Sequence, residues 1–212
     1  MKTLICVPCM DMVHTSFMRS LLSLRPVGDV RFGITRSTLV YDARNLLSDQ
    51  AVIEGYDYTL WLDSDMTFEP DIMERLFARL EEGHDVVSGL YFTRRTPFRP
   101  VLFDKCRVFE KDGVQGSTLV WFDNYPEDSV FKIEACGFGG VMVRVDLLKK
   151  IKDAYGTPFS PLFALGEDLS FALRANALGA DMVCDSSIKL GHIAQIVVDE
   201  NTYKETRQCS QK

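Results

Sequence analysis

Asp63-Ser64-Asp65 sets two carboxylates two positions apart, directly after the largely apolar run 58–62. A run of that length bounded by polar residues reads as a buried strand, and open α/β sheets hold their ligands at the carboxyl ends of such strands. Alternation along an extended chain would turn both acids to one side. Two hard oxygen donors on one face suit Mg2+ or Mn2+. Neither acid is needed to cap the next helix, because the helix-starting Pro70 comes five residues after Asp65. The plain alternative for so short a motif is an Asp-rich turn.

Other chemistry-bearing residues follow at a distance. Gly166-Glu167-Asp168 opens a helical pattern over 166–178. Acids in a first turn favour the helix dipole by about 0.3–1 kcal/mol, so capping explains them, yet either could also act as a general base. His192 stands in Leu190-Gly191-His192-Ile193, where a neutral imidazole could complete the shell of an ion at Asp65 and the glycine would permit close approach. Gly137-Phe138-Gly139-Gly140 reads as a bulge or as backbone lying against a ligand. Arg94, Arg95 and Arg99 form a basic loop able to hold a phosphate or an anionic acceptor, with Arg95 most simply solvated. Arg44 and Asn45 interrupt an apolar helix pattern and are expected on its wet side.

The elements that must position these groups alternate. Residues 4–7 read as a strand ended by Pro8, and Phe17, Leu21, Leu22 and Leu24 form a helical stripe. A loose alternation at 30–34 precedes a helix over 39–54, carried by Ala43, Leu46, Leu47 and Ala51. After the strand at 58–62 comes a helix from Pro70 with Ile72, Leu76, Phe77 and Leu80 inward, then a strand at 86–91. That rhythm predicts an α/β fold: an open, mostly parallel sheet with helices on both faces. Between 97 and 140 the short β-rich runs 101–103, 119–122 and 130–135 suggest hairpins, expected to extend the same sheet as a smaller β-rich part. Helical pattern returns at 146–152, and a strand is expected at 181–184.

Composition sets the outer limits. Apolar residues at 46% and charged residues at 25% of 212 exclude a disordered chain, a collagen and a coiled-coil rod. The reading is one domain: a nucleotide-binding half over 1–96, an acceptor-side half over 97–195 and a polar tail over 196–212. A net charge of -6, from 24 basic and 30 acidic residues, repels phosphate backbones in bulk. No run reaches the roughly 18 residues of a membrane span, and the first apolar stretch is too short for a secretory signal. Of Cys6, Cys9, Cys106, Cys136, Cys184 and Cys209 most lie singly among apolar neighbours, and the C-x-x-C of Cys6 and Cys9 lacks a partner pair at zinc spacing, so a reduced, cytoplasmic chain is expected.

The order of ICVPC, YDARNLL, LWLDSDMTFEPD, GFGGVMVRVDLLKKI, GEDLSFALRANALGADMVCD and LGHI resembles the GT-A-fold glycosyltransferases, in the style of family 2 and related phage-type enzymes, over almost the whole chain. The resemblance implies a metal-dependent transfer of sugar from a nucleotide-diphosphate donor, first of all a UDP-sugar, to an acceptor hydroxyl. Asp65 would then bind Mn2+ or Mg2+ on the diphosphate, with His192 as a further ligand, and Asp63 would meet the ribose or the same ion, with Ser64 beside it. Asp168, with Glu167 alongside, would be the base of an inverting reaction. Pro8 would border the base pocket, Arg44 and Asn45 would face the nucleotide, and Gly139-Gly140 would lie against the donor sugar. The stretch Gly33-Ile34-Thr35-Arg36 departs from the pattern, lacking the acidic residues many family 2 members carry there. A glycan, a lipid-linked sugar, a protein and a modified base in phage DNA all suit the acceptor side.

Three rivals remain at this level. Asp63-Ser64-Asp65-Met66-Thr67 also fits the D-x-D-x-T of haloacid-dehalogenase-type phosphatases, with Asp63 as nucleophile, although that motif follows a first strand. A nucleotidyltransferase would want a Gly-rich basic loop after the first strand, which residues 8–14 do not offer. A catalytically inactive sugar-nucleotide-binding protein would tolerate every residue named.

Overall fold

A computed structural model describes residues 1–37, 39–111, 114–163, 165–195 and 199–200. Of the expected polar tail only 199–200 fall within that description, and Cys209 lies outside it. The first part of the chain runs β1 (Lys2–Cys9), α1 (Thr15–Ser23), β2 (Asp29–Arg36), α2 (Val40–Ile53), β3 (Tyr58–Leu62), β4 (Met66–Thr67), α3 (Ile72–Glu81) and β5 (Val86–Leu90). The second runs β6 (Leu102–Lys111), β7 (Val114–Trp121), β8 (Val130–Lys132), β9 (Ala135–Cys136), β10 (Gly140–Arg144), α4 (Val145–Tyr155), α5 (Glu167–Ala177), β11 (Met182–Lys189) and β12 (Gly191–His192).

Seven strands form the main sheet in the order β2-β1-β3-β10-β5-β11-β8. β10 and β8 run antiparallel to their neighbours while β2, β1, β3, β5 and β11 share one direction. All five residues of β3 and all five of β5 are buried, as strands covered on both faces must be. One face is closed by α1 and α3 over Ile5, Leu60, Leu62 and Met142. The other is closed by α2, α4 and α5 over Leu4, Trp61, Val141 and Val143. Each fully buried aliphatic or aromatic side chain contributes about 1.5–3 kcal/mol, so these two layers hold the strand ends that carry the acids.

The β-rich middle does not extend the main sheet as expected. β7, β6 and β9 form a separate three-stranded sheet, and only β8 joins the large one. Its ten- and eight-residue strands make a long antiparallel ribbon whose inner end packs through Phe103, Leu102 and Cys136 onto the α5 side of the core. β11 also exceeds the expected 181–184, because Asp185 and Ser186 are buried with hydrogen-bond partners: Asp185 accepts from Arg79 at 2.9 Å and Ser186 donates to the Pro126 carbonyl at 2.6 Å. Among the described residues no helix is long and apolar enough to cross a membrane. The five described cysteines are free. Burial pushes the Cys136 thiol up to about 12 and that of Cys106 to about 11, so these two are packing groups and not thiolate ligands.

Candidate functional site

A cavity of about 940 Å3 opens at the carboxyl ends of β1 and β3 and is closed on its far side by the segment 91–101 and Trp121 of the small sheet. Asp63, Ser64 and Asp65 lie on its floor, Glu167, Asp168 and His192 on its walls, and Pro8, Arg44 and Arg94 around them.

Asp63-Ser64-Asp65 is not an extension of β3. The strand stops at Leu62, and the Met66 amide donates back to the Asp63 carbonyl at 3.1 Å, closing a turn. The expected alternation is lost, so the two carboxylates diverge within the same cavity. Asp63 Oδ1 accepts from Arg44 Nη2 at 2.8 Å, while Asp65 Oδ2 lies 2.6 Å from Arg94 Nη1 and 3.7 Å from His192 Nε2.

His192 is delivered by a two-residue ladder. β12 pairs antiparallel with β4, setting His192 opposite Met66 and Gly191 opposite Thr67, and the Ile193 amide donates to the Asp65 carbonyl at 2.8 Å. A Cβ on Gly191 would lie 2.4 Å from Thr67 Oγ1, which accounts for the glycine. The ring is held further by an edge contact with Tyr91 and by a 2.8 Å hydrogen bond in which Nδ1 serves the Phe92 carbonyl. The carbonyl requires the Nδ1 proton, so in the neutral ring Nε2 on the Asp65 side is the nitrogen free to meet a metal. Partial burial opposes charge on both groups. Even so, Asp65 is held below the usual carboxylate range by His192 and Arg94, and His192 is raised by Asp65 and the Phe92 carbonyl.

Arg44 overturns its expectation. It is 2% exposed, whereas Leu46, expected inward, is 57% exposed. The buried arc of α2 runs through Ala43, Arg44, Leu47, Ser48 and Ala51. The guanidinium bridges Asp63 and Glu167, its Nε lying 3.3 Å from Glu167 Oε1. Its central carbon sits 5.3 Å from the Phe138 ring and 5.8 Å from that of Trp61. Burial works against its charge, but Asp63, Glu167 and Asp168 raise its pKa on balance. Arg44 thus ties the floor of the cavity to its α5 wall. Arg44→Met should leave two partly buried acids uncompensated and lower stability by about 3 kcal/mol, read from urea unfolding. Asp63→Asn in the same chain should recover part of that loss; a single-variant loss below about 1 kcal/mol would remove the bridge.

Two further expectations are corrected. The amide of Asn45 turns away from the cavity to the segment after α4, where Oδ1 accepts from the Phe159 amide at 2.9 Å and Nδ2 donates to Ser160 Oγ at 3.2 Å. Gly139 and Gly140 are sealed under side chains. A Cβ on Gly139 would meet Met66 and Tyr91 at 3.1 Å, and one on Gly140 would meet Leu190 at 2.3 Å. The close approach these glycines permit is to the protein itself. Tyr91, read from the sequence only as the end of a strand, fills that place: its buried hydroxyl accepts from the Gly139 amide at 3.2 Å, and burial with nearby Asp63 raises its pKa well above the ordinary range.

Asp168 stands in the first turn of α5, whose N-cap is Gly166 without a side-chain cap bond. Its Oδ1 accepts from the Leu169 amide at 2.8 Å. Burial first, then Glu167 and Asp63, push its pKa to about 6 against the pull of that amide and of Arg44. A carboxylate so placed is ionised at neutral pH and close enough to its pKa to take a proton, as a general base must. Among the described residues no group of three or more His, Cys, Asp and Glu side chains gathers tightly enough to hold an ion by itself.

No family model and no curated protein matches the chain. Comparison of structures is more informative. A197 from STIV superposes with a TM-score of 0.66 at 24% identity, over 94% of this chain and 87% of that one. GalNAc-T7, a GT-A glycosyltransferase solved with UDP, GalNAc and Mn2+, superposes with a TM-score of 0.61 at 10% identity, over 92% of this chain. The fold is GT-A-like. The chain spans 44% of the length of that GalNAc-T7 chain, and at such identities both likenesses concern the fold alone. In the GT-A-like fold the Asp63 turn follows the third strand of the chain, and Asp63 is held by a buried guanidinium. Neither feature suits the nucleophile of a D-x-D-x-T phosphatase.

Proposed function

We propose that the chain is a glycosyltransferase that moves a sugar from a nucleotide diphosphate, a UDP-sugar first of all, to an acceptor hydroxyl. The observation that carries this reading is the meeting of Asp65, His192 and Asp168, more than a hundred positions apart at the extremes, in one cavity of a GT-A-like fold. The donor set fits a divalent ion. Asp65 Oδ2 and His192 Nε2, 3.7 Å apart, would hold it as one carboxylate oxygen and one imidazole nitrogen. One carboxylate and one imidazole suit Mg2+ or Mn2+, which keep waters and bind substrate phosphates beside one or two protein ligands. Such an ion, when bound, neutralises charge developing on the departing diphosphate.

The chain's own residues supply the rest. Arg94, 53% exposed at the end of its contact with Asp65, is placed to turn to a phosphate oxygen. Arg44 holds Asp63 for a ribose hydroxyl and keeps Glu167 engaged, so that Asp168 is the acid of that pair left to take the proton of the acceptor. Pro8 and Val40 offer an apolar border to the base. A carboxylate base across the sugar from the diphosphate gives inversion at the anomeric carbon.

A thermal-shift panel of nucleotide sugars with and without Mn2+ tests the reading. Binding at a hundredfold excess over Kd should stabilise by about 2.7 kcal/mol, and only with the ion present. Silence of the whole panel would sink the proposal; Mn2+-dependent binding with no donor hydrolysis or transfer would leave a sugar-nucleotide-binding protein.

A further inference from the structure

The cavity holds more cationic surface than the donor site uses. Arg44 is committed to Asp63 and Glu167, and Arg94 to Asp65. Arg95 and Arg99 line the same cavity from its far wall. Arg99 lies over the Trp121 ring at 5.7 Å, and Trp121 is backed by Phe103 at 4.6 Å. The carboxylate nearest Arg99 among the described residues is Asp123 at 3.7 Å, beyond hydrogen-bonding distance. For Arg95 no carboxylate partner is found among the described residues.

The loop that presents them is braced. The Thr93 amide donates to the Arg99 carbonyl at 2.9 Å, the Arg99 amide to Thr93 Oγ1 at 3.1 Å, and Thr93 Oγ1 to the Arg95 carbonyl at 3.2 Å. The Val101 amide then donates to the Tyr91 carbonyl at 2.9 Å. Two guanidinium groups without bonded carboxylates, on a hydrogen-bonded loop inside a concave wall, stand out on a chain of net charge -6. Concave walls focus such a field on whatever enters. Their wall is the 93–99 loop and Trp121 of the small sheet, elements that belong to neither β1 nor the Asp63 turn.

We infer that Arg95 and Arg99 form an acceptor subsite for an anionic group, a phosphate or carboxylate carried close to the reacting hydroxyl. The inference rests on the transferase reading for the word acceptor, though the anion site itself can be measured without it. Arg99, its central carbon over the Trp121 ring, brings a planar guanidinium fork that matches either oxyanion. The group is thereby set in the same cavity as Asp168, which takes the hydroxyl proton.

Titration of the protein with phenyl phosphate, benzoate and phenol, each in the presence and absence of saturating UDP and Mn2+, tests this. One or both anions should bind at least about tenfold tighter than phenol, and their ratio separates phosphate from carboxylate. Binding should survive UDP and Mn2+. It should fall about tenfold or more in Arg95→Gln/Arg99→Gln, whose melting temperature and UDP affinity stay within error of the parent. Anion binding that UDP abolishes would return both arginines to the donor diphosphate and overturn the inference, as would affinities equal to that of phenol or unchanged in the double variant. Failure of UDP and Mn2+ to bind, with anion binding intact and lost in the double variant, would instead strike the transferase reading and leave the anion site standing.

Discussion

Asp65→Ala is expected to abolish Mn2+-dependent binding of a nucleotide sugar while the protein stays folded. The carboxylate is the oxygen donor beside His192, and its loss leaves a single imidazole nitrogen, too little for a hard ion that prefers oxygen. The backbone of Asp65, and not its side chain, accepts from Ile193, so the ladder that carries His192 survives the change. Asp65→Asn keeps an oxygen but not the charge and should fall between the two. Calorimetry of UDP with and without Mn2+ reads all three proteins. Parent-like, ion-dependent affinity in Asp65→Ala would strip the residue of its assignment.

Asp168→Asn should lower sugar transfer by about 10²–10⁴ and leave donor affinity intact. The amide is isosteric and its oxygen can still accept from Leu169, so geometry is conserved while the basic lone pair is lost. The parent's transfer rate should fall about tenfold per pH unit below about 6, where Asp168 takes up its proton, and the variant's residual rate should lack that limb. The effect on stability has the opposite sign. Because the folded value lies above the ordinary 3.8, the unfolded chain releases its proton first, and the group burdens the fold increasingly from about pH 4 to about 6. At pH 7 the variant should therefore melt at or above the parent temperature. Equal losses of donor binding and transfer would make Asp168 a structural residue.

Much of this was legible in the chain before any coordinates. A buried run ended by Asp63, a glycine-opened helix bearing Glu167 and Asp168, and a parallel α/β rhythm are local patterns, and local patterns survive folding. What escaped the reading is non-local. Arg44 looked like a solvent-facing interruption because its partners Asp63 and Glu167 lie 19 and 123 positions away, and only their arrival makes burial tolerable. Gly139 and Gly140 spoke of close approach, but not that Tyr91, Met66 and Leu190 would be the ones approaching. The small sheet escaped because short β-rich runs show their own alternation and not which ladder they join. The turn at Asp63 reversed a prediction by a single hydrogen bond, from the Met66 amide.

The pairing of β12 with β4 separates two properties by chain order. Every strand of the seven-stranded sheet lies at or before Lys189 in the chain, and the imidazole comes after them. The residue proposed to help set ion preference therefore stands on a short two-residue ladder outside the large sheet, whose strands do not pass through it.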